Sequence, residues 1–259
     1  MATPPAWPAG SFFDQYRLPK RYDRMITPRY ESRLERSLEE IRGRIIRAAE
    51  RSGRDPDGVT LVAVTKAHPL EAVHAALAHD LFDLGENRVE QLAEKAAAVG
   101  DERVRWHMIG HVQRRKVPRV AGVAELVHSI DSLRLAQRLS DVAEESGERQ
   151  PVLIQVNTSG EETKGGLPGQ GIGDDLRSIL ALSGLEVRGL MTMAPFTDDE
   201  TVLRSTFRGL RELDEEFRQL DGYAGEELSM GMTNDFEIAI EEGSTMIRLG
   251  TALFGRRTT

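Results

Sequence analysis

The sequence predicts a single α/β domain folded as a closed (β/α)8, or TIM, barrel, and three observations carry that prediction. Eight short β-rich runs alternate with charged or alanine-rich helical stretches along the chain. Most of the runs are continuously apolar rather than alternating, as strands buried on both faces of a parallel sheet must be, and none is joined to the next by a hairpin turn. The length, 259 residues, suits one such barrel. An open doubly wound sheet is the rival architecture. It ranks second because no Gly-x-Gly-x-x-Gly follows the first strand and no break in composition separates two halves.

Taken in order, residues 1–27 lack a basic start and a continuous apolar stretch, and their prolines oppose a helix, so they read as an extended or disordered arm. Residues 28–259 read as the barrel domain. It opens with one amphipathic helix over 28–54, in which Leu34, Leu38, Ile41, Ile45 and Ala48 recur at spacings of three and four and Gly53 provides the stop. The predicted strands follow as VTLVAV (59–64), LFDLGE (81–86), VRWHMIG (104–110) and LVHSID (126–131). VLIQVN (152–157), VRGLMTM (187–193), ELSMGM (227–232) and TMIRLG (245–250) complete the eight.

Composition removes several functions. A hydrophobic fraction of 39% with 29% charged residues is that of a water-soluble globular protein, and no stretch approaches a membrane span. A net charge of -8 opposes phosphate-backbone binding, so nucleic acid is not an expected partner. With no cysteine there is no disulfide, thiolate metal site or cysteine nucleophile. The missing export and membrane signals lead to the expectation of a cytoplasmic protein.

In such barrels chemistry sits where strands end and βα loops begin. Those positions hold Thr65 and Lys66, then Gly85, Glu86 and Asn87, then His107, Gly110 and His111. Ser129, Asp131, Asn157, Ser229, Gly231, Arg248, Gly250 and Thr251 follow. Lys66 follows the apolar run LVAV after Thr65, a partly desolvated floor on which its amine becomes a nucleophile for carbonyls. The last two mouth loops read Ser229-Met230-Gly231-Met232-Thr233-Asn234 and Arg248-Leu249-Gly250-Thr251. Their glycines admit a phosphate close to the backbone, and Thr233 or Asn234 is placed to cap the next helix and aim its dipole at an anion. A lysine opposite a phosphate cup suggests a phosphorylated carbonyl compound, either a cofactor or the substrate of a sugar-phosphate aldolase.

The chain resembles the pyridoxal phosphate homeostasis proteins, relatives of the alanine racemase N-terminal barrel, from about Leu34 to Gly255. The resemblance rests on LVAVTKAHP, LGENRVEQ, WHMIGHVQ, HSIDSLRLAQRL, VLIQVNTSGEETKGG, RGLMTM, LSMGMTNDFEIAI and GSTMIRLGTALFG, in that order. It implies pyridoxal 5'-phosphate held as a Schiff base, the internal aldimine, on Lys66, with Arg248 facing the pyridine nitrogen. Ser229, Gly231, Thr233, Gly250 and Thr251 would surround the phosphate, and Asn87, His107 and Asn157 complete the expected cofactor-binding set. Three features depart from the family pattern: Thr233-Asn234-Asp235 replaces a serine followed by one or two acidic residues, Arg115 stands at a frequent asparagine, and the arm before Pro28 is long.

An arginine beside the pyridine nitrogen cannot accept its proton, so the ring would stay an unprotonated acceptor and a weak electron sink. That pairing points to racemization or to no turnover. Alanine racemase-like enzymes draw a second base, a tyrosine, from an additional β domain, and this chain is expected to lack one. Tyr16, Tyr22 and Tyr30 precede the barrel, Tyr223 lies towards its other end, and His107 or His111 would be substitutes. The resulting expectation is a non-catalytic vitamin B6 homeostasis protein, a monomer that holds the cofactor and serves apo-enzymes dependent on it. A weak amino acid racemase is the alternative, and a cofactor-free aldolase ranks last. Lys164, in the charged GEETKGG loop, is either a solvated lysine or a secondary acceptor for the aldehyde.

Overall fold

The structure, a computed structural model, describes residues 28–161, 165–169 and 171–256. The proposed arm over 1–27, with Tyr16 and Tyr22, and the loop residue Lys164 lie outside the described residues.

Eight parallel strands close into a barrel. They are β1 (Thr60–Val64), β2 (Asp83–Glu86), β3 (Arg105–Met108), β4 (Leu126–Ile130), β5 (Gln150–Asn157), β7 (Leu185–Met191), β8 (Glu227–Ser229) and β9 (Met246–Leu249). Neighbours in that series pair in parallel, β1 pairs β9, and the β4–β5 pairing completes the ring. A ninth strand, the two-residue β6 (Leu167–Pro168), pairs among the described residues with β5 alone and stands outside the barrel. The sequence does not foretell it, because two residues carry no periodicity.

Side chains divide between two apolar regions, which explains the continuously apolar strands. Val62, Leu126, Leu153, Met191 and Met246 point into the barrel and pack on one another. Ala63, Leu84, Val127, Val152 and Ile247 face outward into the larger core beneath the helices. Those helices are α2 (Leu70–Ala78), α3 (Val89–Val99), α4 (Leu133–Ser146), α5 (Gly173–Leu180) and α6 (Glu200–Phe217), with a 3-10 helix, Arg114–Arg119, between β3 and β4.

The final helices are short: α7 (Phe236–Glu241) has six residues and α8 (Thr251–Phe254) four. The long α1 (Pro28–Arg51) supplies the missing cover. Its predicted stripe, Leu34, Leu38, Ile41, Ile45 and Ala48, is buried. Arg44 pairs with Glu237 of α7 at 2.6 Å, and the Ser37 hydroxyl donates to the Leu253 carbonyl of α8 at 3.2 Å. Just beyond α1, Gly53 takes the left-handed φ of +68° that ends the helix, and Arg54 donates to the carbonyls of Ile240 and Ser244. No described helix is long and apolar enough to cross a membrane.

Candidate functional site

Lys66 stands at the end of β1, where the chain turns sharply. Ala67 adopts a φ of +58°, a left-handed conformation that costs a residue with a Cβ about 1 kcal/mol or more. The turn is held on both sides. The Thr65 amide donates to the Gly85 carbonyl at 3.0 Å, and the His68 amide returns to the Thr65 carbonyl at 3.0 Å. That same carbonyl accepts Lys95 Nζ from α3 at 2.9 Å, while the Thr65 hydroxyl donates to Glu86 Oε1 at 2.6 Å. Lys95 and Glu86 are themselves ion-paired, and Glu86 is completely buried. From the opposite side Tyr30 of α1 packs edge-on against His68, with a 3.2 Å contact between its hydroxyl and Nδ1.

Arg248 on β9 is buried inside the barrel. Its Nη1 donates to Ser229 Oγ at 2.6 Å and its Nη2 to the Thr192 carbonyl at 3.0 Å. Burial lowers its pKa to about 10, opposed by the charge of Asp235, so the guanidinium stays protonated at neutral pH. Behind Ser229 the contacts continue. Ser229 Oγ meets His128 Nδ1 at 2.9 Å, His128 Nε2 meets His107 Nδ1 at 2.9 Å, and His107 Nε2 meets Asp83 Oδ1 at 3.1 Å. Burial, with the nearby His107 and Arg248, pushes His128 well below the usual histidine range, so it is neutral. Burial alone would raise Asp83, but hydrogen bonds from His107 and Arg105 outweigh it and hold that carboxyl at about 2.

The two glycine-bearing loops after β8 and β9 meet at the mouth. Gly231 has a φ of +97°, and a Cβ there would lie 2.6 Å from the Ala239 Cβ, so only glycine fits without displacement. Its carbonyl accepts the Arg248 amide at 3.0 Å. The Thr233 hydroxyl accepts the Ala252 amide at 3.4 Å and so ties one loop to the first turn of α8. One expectation is corrected here: the residue capping α7 is Asp235, not Thr233 or Asn234. The Asp235 carboxylate bonds backward to the Met232 amide at 2.5 Å, folding the loop on itself rather than closing the helix end.

These elements enclose a cleft of about 350 Å³. Of the residues expected to bind a cofactor, Lys66, Asn87, Thr233, Arg248, Gly250 and Thr251 line it together. Ser229, Gly231, His107 and Asn157 do not line it. Ser229 and His107 lie in the closed interior, and Gly231 packs against α7. Asn157 organises the β5 loop, donating to the Glu161 carbonyl and accepting from the Ser159 amide and hydroxyl. Sequence reasoning missed the segment after β7, Met193–Thr197, which forms a wall of the cleft and carries Phe196, 90% exposed, at its edge. Its signal was present, since it directly follows a predicted strand. Asp83, Lys95 and His128 were missed as well.

Gly110 also acts here, because a Cβ on it would lie 2.2 Å from the Asn87 carbonyl and push apart the loops after β2 and β3. A larger hollow, about 570 Å³, opens at the other end of the barrel between α1 and the starts of β1 and β2. It is lined mainly by apolar groups such as Ile45, Val59, Leu61 and Phe82, and its charged groups, Arg42, Asp57, Asp80 and Asp83, include no amine nucleophile. The residues expected to bind a cofactor converge on the smaller cleft instead.

Comparison with known proteins agrees with this architecture. The family model described as "Alanine racemase, N-terminal domain" matches residues 37–258. The pyridoxal phosphate homeostasis protein of Aquifex aeolicus is 40% identical over 225 residues, 87% of this chain and 97% of that protein. PipY of Synechococcus elongatus, solved with PLP bound, superposes with a TM-score of 0.72 at 33% identity, covering 82% of this chain and all of that one. An alanine racemase of Clostridium difficile shares the fold alone, with a TM-score of 0.70 at 15% identity over 88% of this chain and 58% of the racemase. A barrel of this topology, with its mouth lysine and glycine-bearing loops, thus matches these relatives over most of its length, and the chain belongs to the pyridoxal phosphate homeostasis protein family, within the alanine racemase N-terminal-domain group.

Proposed function

We propose that this protein binds pyridoxal 5'-phosphate in the cleft at the barrel mouth, through a covalent bond to Lys66, and serves intracellular vitamin B6 homeostasis by holding the cofactor rather than turning over a substrate. The observation that carries the reading is the convergence of Lys66, Arg248 and the two glycine-bearing loops on one cleft. The donor set fits the cofactor: a primary amine for its carbonyl, a buried cation for its ring nitrogen, and Thr233, Gly250 and Thr251 for its phosphate. When bound, the cofactor supplies an aldehyde that captures amines and a ring that can delocalise electrons.

The residues around it favour storage over turnover. Arg248 remains a cation and donor at neutral pH, so it holds the ring nitrogen without giving it a proton. Among the described residues no tyrosine or histidine lines the cleft. Tyr223, buried and donating to Asp214 at 2.6 Å, is a structural group at the other end. On this reading residues 28–259 are one cofactor-binding unit, and the protein is a cytoplasmic monomer that passes the cofactor to apo-enzymes.

The test is the visible spectrum of the purified protein before and after borohydride, with peptide mapping of the reduced adduct. A yellow protein labelled on Lys66 is expected. A protein that stays colourless and unlabelled after addition of pyridoxal phosphate would overturn the proposal. The shared racemase fold keeps weak racemization as the second reading, which requires solvent deuterium to enter the Cα of an amino acid.

A further inference from the structure

Cofactor binding in the cleft leaves unused a line of polar groups that crosses the barrel interior from Arg248 on β9 to Asp83 at the start of β2. Each contact in it has a definite chemistry. Arg248 is donor-only, and a carboxylate at Asp83 is acceptor-only. Between them lie Ser229, His128 and His107, joined by contacts of 2.6, 2.9, 2.9 and 3.1 Å from one end to the other. Neutral His128 must present one ring nitrogen as a donor and the other as an acceptor.

With one polarity every group is used once. Arg248 donates to Ser229, Ser229 to His128 Nδ1, His128 Nε2–H to His107 Nδ1, and His107 Nε2–H to Asp83. The reverse polarity would put a second proton on His107 and add a cation to the interior that already holds Arg248, balanced by an Asp83 carboxylate already shared with Arg105. It would also leave the Ser229 hydroxyl hydrogen without an acceptor among the described contacts.

We propose that Asp83, His107 and His128 are positioning residues for Arg248. They impose one direction of hydrogen-bond donation across the barrel, which commits the Ser229 hydroxyl hydrogen to His128 and presents its oxygen to the guanidinium. The guanidinium is then held by Ser229 and by the Thr192 carbonyl, with its remaining donors set towards the cleft. The inference rests on the proposed cofactor site, where Arg248 meets the ring nitrogen.

Two measurements on the full chain loaded with pyridoxal phosphate test it. Nitrogen-15 NMR of the histidine rings should show His107 and His128 both protonated on Nε2 and bare on Nδ1, and a proton on Nδ1 of either would overturn the proposed direction. His128→Phe should weaken cofactor binding about tenfold or more, through loss of support for a charged donor, and shift the absorption maximum, while borohydride still labels Lys66. His128→Gln, which keeps a donor and an acceptor, should recover part of both effects. A labelled His128→Phe with unchanged affinity and spectrum sinks the positioning role. An unlabelled wild type is a different outcome, since it sinks the cofactor site itself while the NMR result still decides the chain of hydrogen bonds. If His128→Phe does not fold, the wild-type NMR pattern alone decides between the two directions of donation.

Discussion

The two residues on which the site depends are supported in opposite ways. Lys66 is approached from outside the barrel, where the Glu86–Lys95 ion pair under α3 grips the backbone carbonyl and side chain of Thr65. Arg248 is approached from inside, where Ser229 and the Thr192 carbonyl grip its side chain. The difference matches the tasks proposed for them. A nucleophile has to move its amine through bond formation, so support is best placed on the neighbouring backbone. A group that recognises a ring nitrogen gains from an immobile donor, so support reaches the functional atoms themselves.

The comparison breaks most severely with Lys66→Ala. Borohydride labelling and the visible band of bound cofactor should vanish, while the thermal midpoint changes little, because that side chain is only partly buried.

Next comes the ion pair. Glu86→Ala strands the buried Lys95 ammonium and should cost about 3–5 kcal/mol in denaturant unfolding. The double change Glu86→Leu with Lys95→Met should recover most of that stability but leave slow cofactor capture, because the Thr65 carbonyl then keeps the His68 amide but loses the Lys95 ammonium. Recovery of both would show that the pair serves packing alone.

On the Arg248 side, Asp83 has a folded pKa of about 2 against an ordinary 3.8. A depressed carboxyl stabilises the fold above its unfolded pKa and loses that contribution as pH falls through the folded one, so the window runs from about pH 4 down to about pH 2. The full contribution is on the order of 2 kcal/mol, reduced because its partner Arg105 is half exposed to solvent. Asp83→Asn should flatten stability over that window, and an unchanged acid limb would separate Asp83 from the interior chain.

The smallest effect is expected at Gly231→Ala, where left-handed backbone and a close Ala239 should cost about 1–2 kcal/mol. It should also weaken cofactor affinity, since the Gly231 carbonyl receives the Arg248 amide. Isothermal titration beside a thermal melt separates the two.

Much of this was legible in one dimension. Each strand run recurs as a barrel strand within a few residues, because burial on both faces forces an apolar run that no surface helix needs. The longest discrepancy is ELSMGM, whose strand ends at Ser229 since Gly231 turns out of the sheet at a positive φ. Lys66, Arg248 and the glycine loops were readable as strand-end residues. Lys95 was not. In AEKAAAV it looks like a solvated helix residue, and only the packing of α3 against β1 and β2 brings the Glu86 carboxylate to it. His128 was equally opaque, since its partners lie 21 and 101 residues away.

By itself the sequence determined the parallel (β/α)8 arrangement and the identities of the residues at the strand ends, because side-chain periodicity and burial are local consequences of backbone geometry. Tertiary structure decided which of those residues share the cleft and which turn inward to hold Arg248. Barrel closure sets β3 and β4 facing β8 and β9 across the interior, and hydrogen bonds of about 3 Å form only once that closure has fixed the distance.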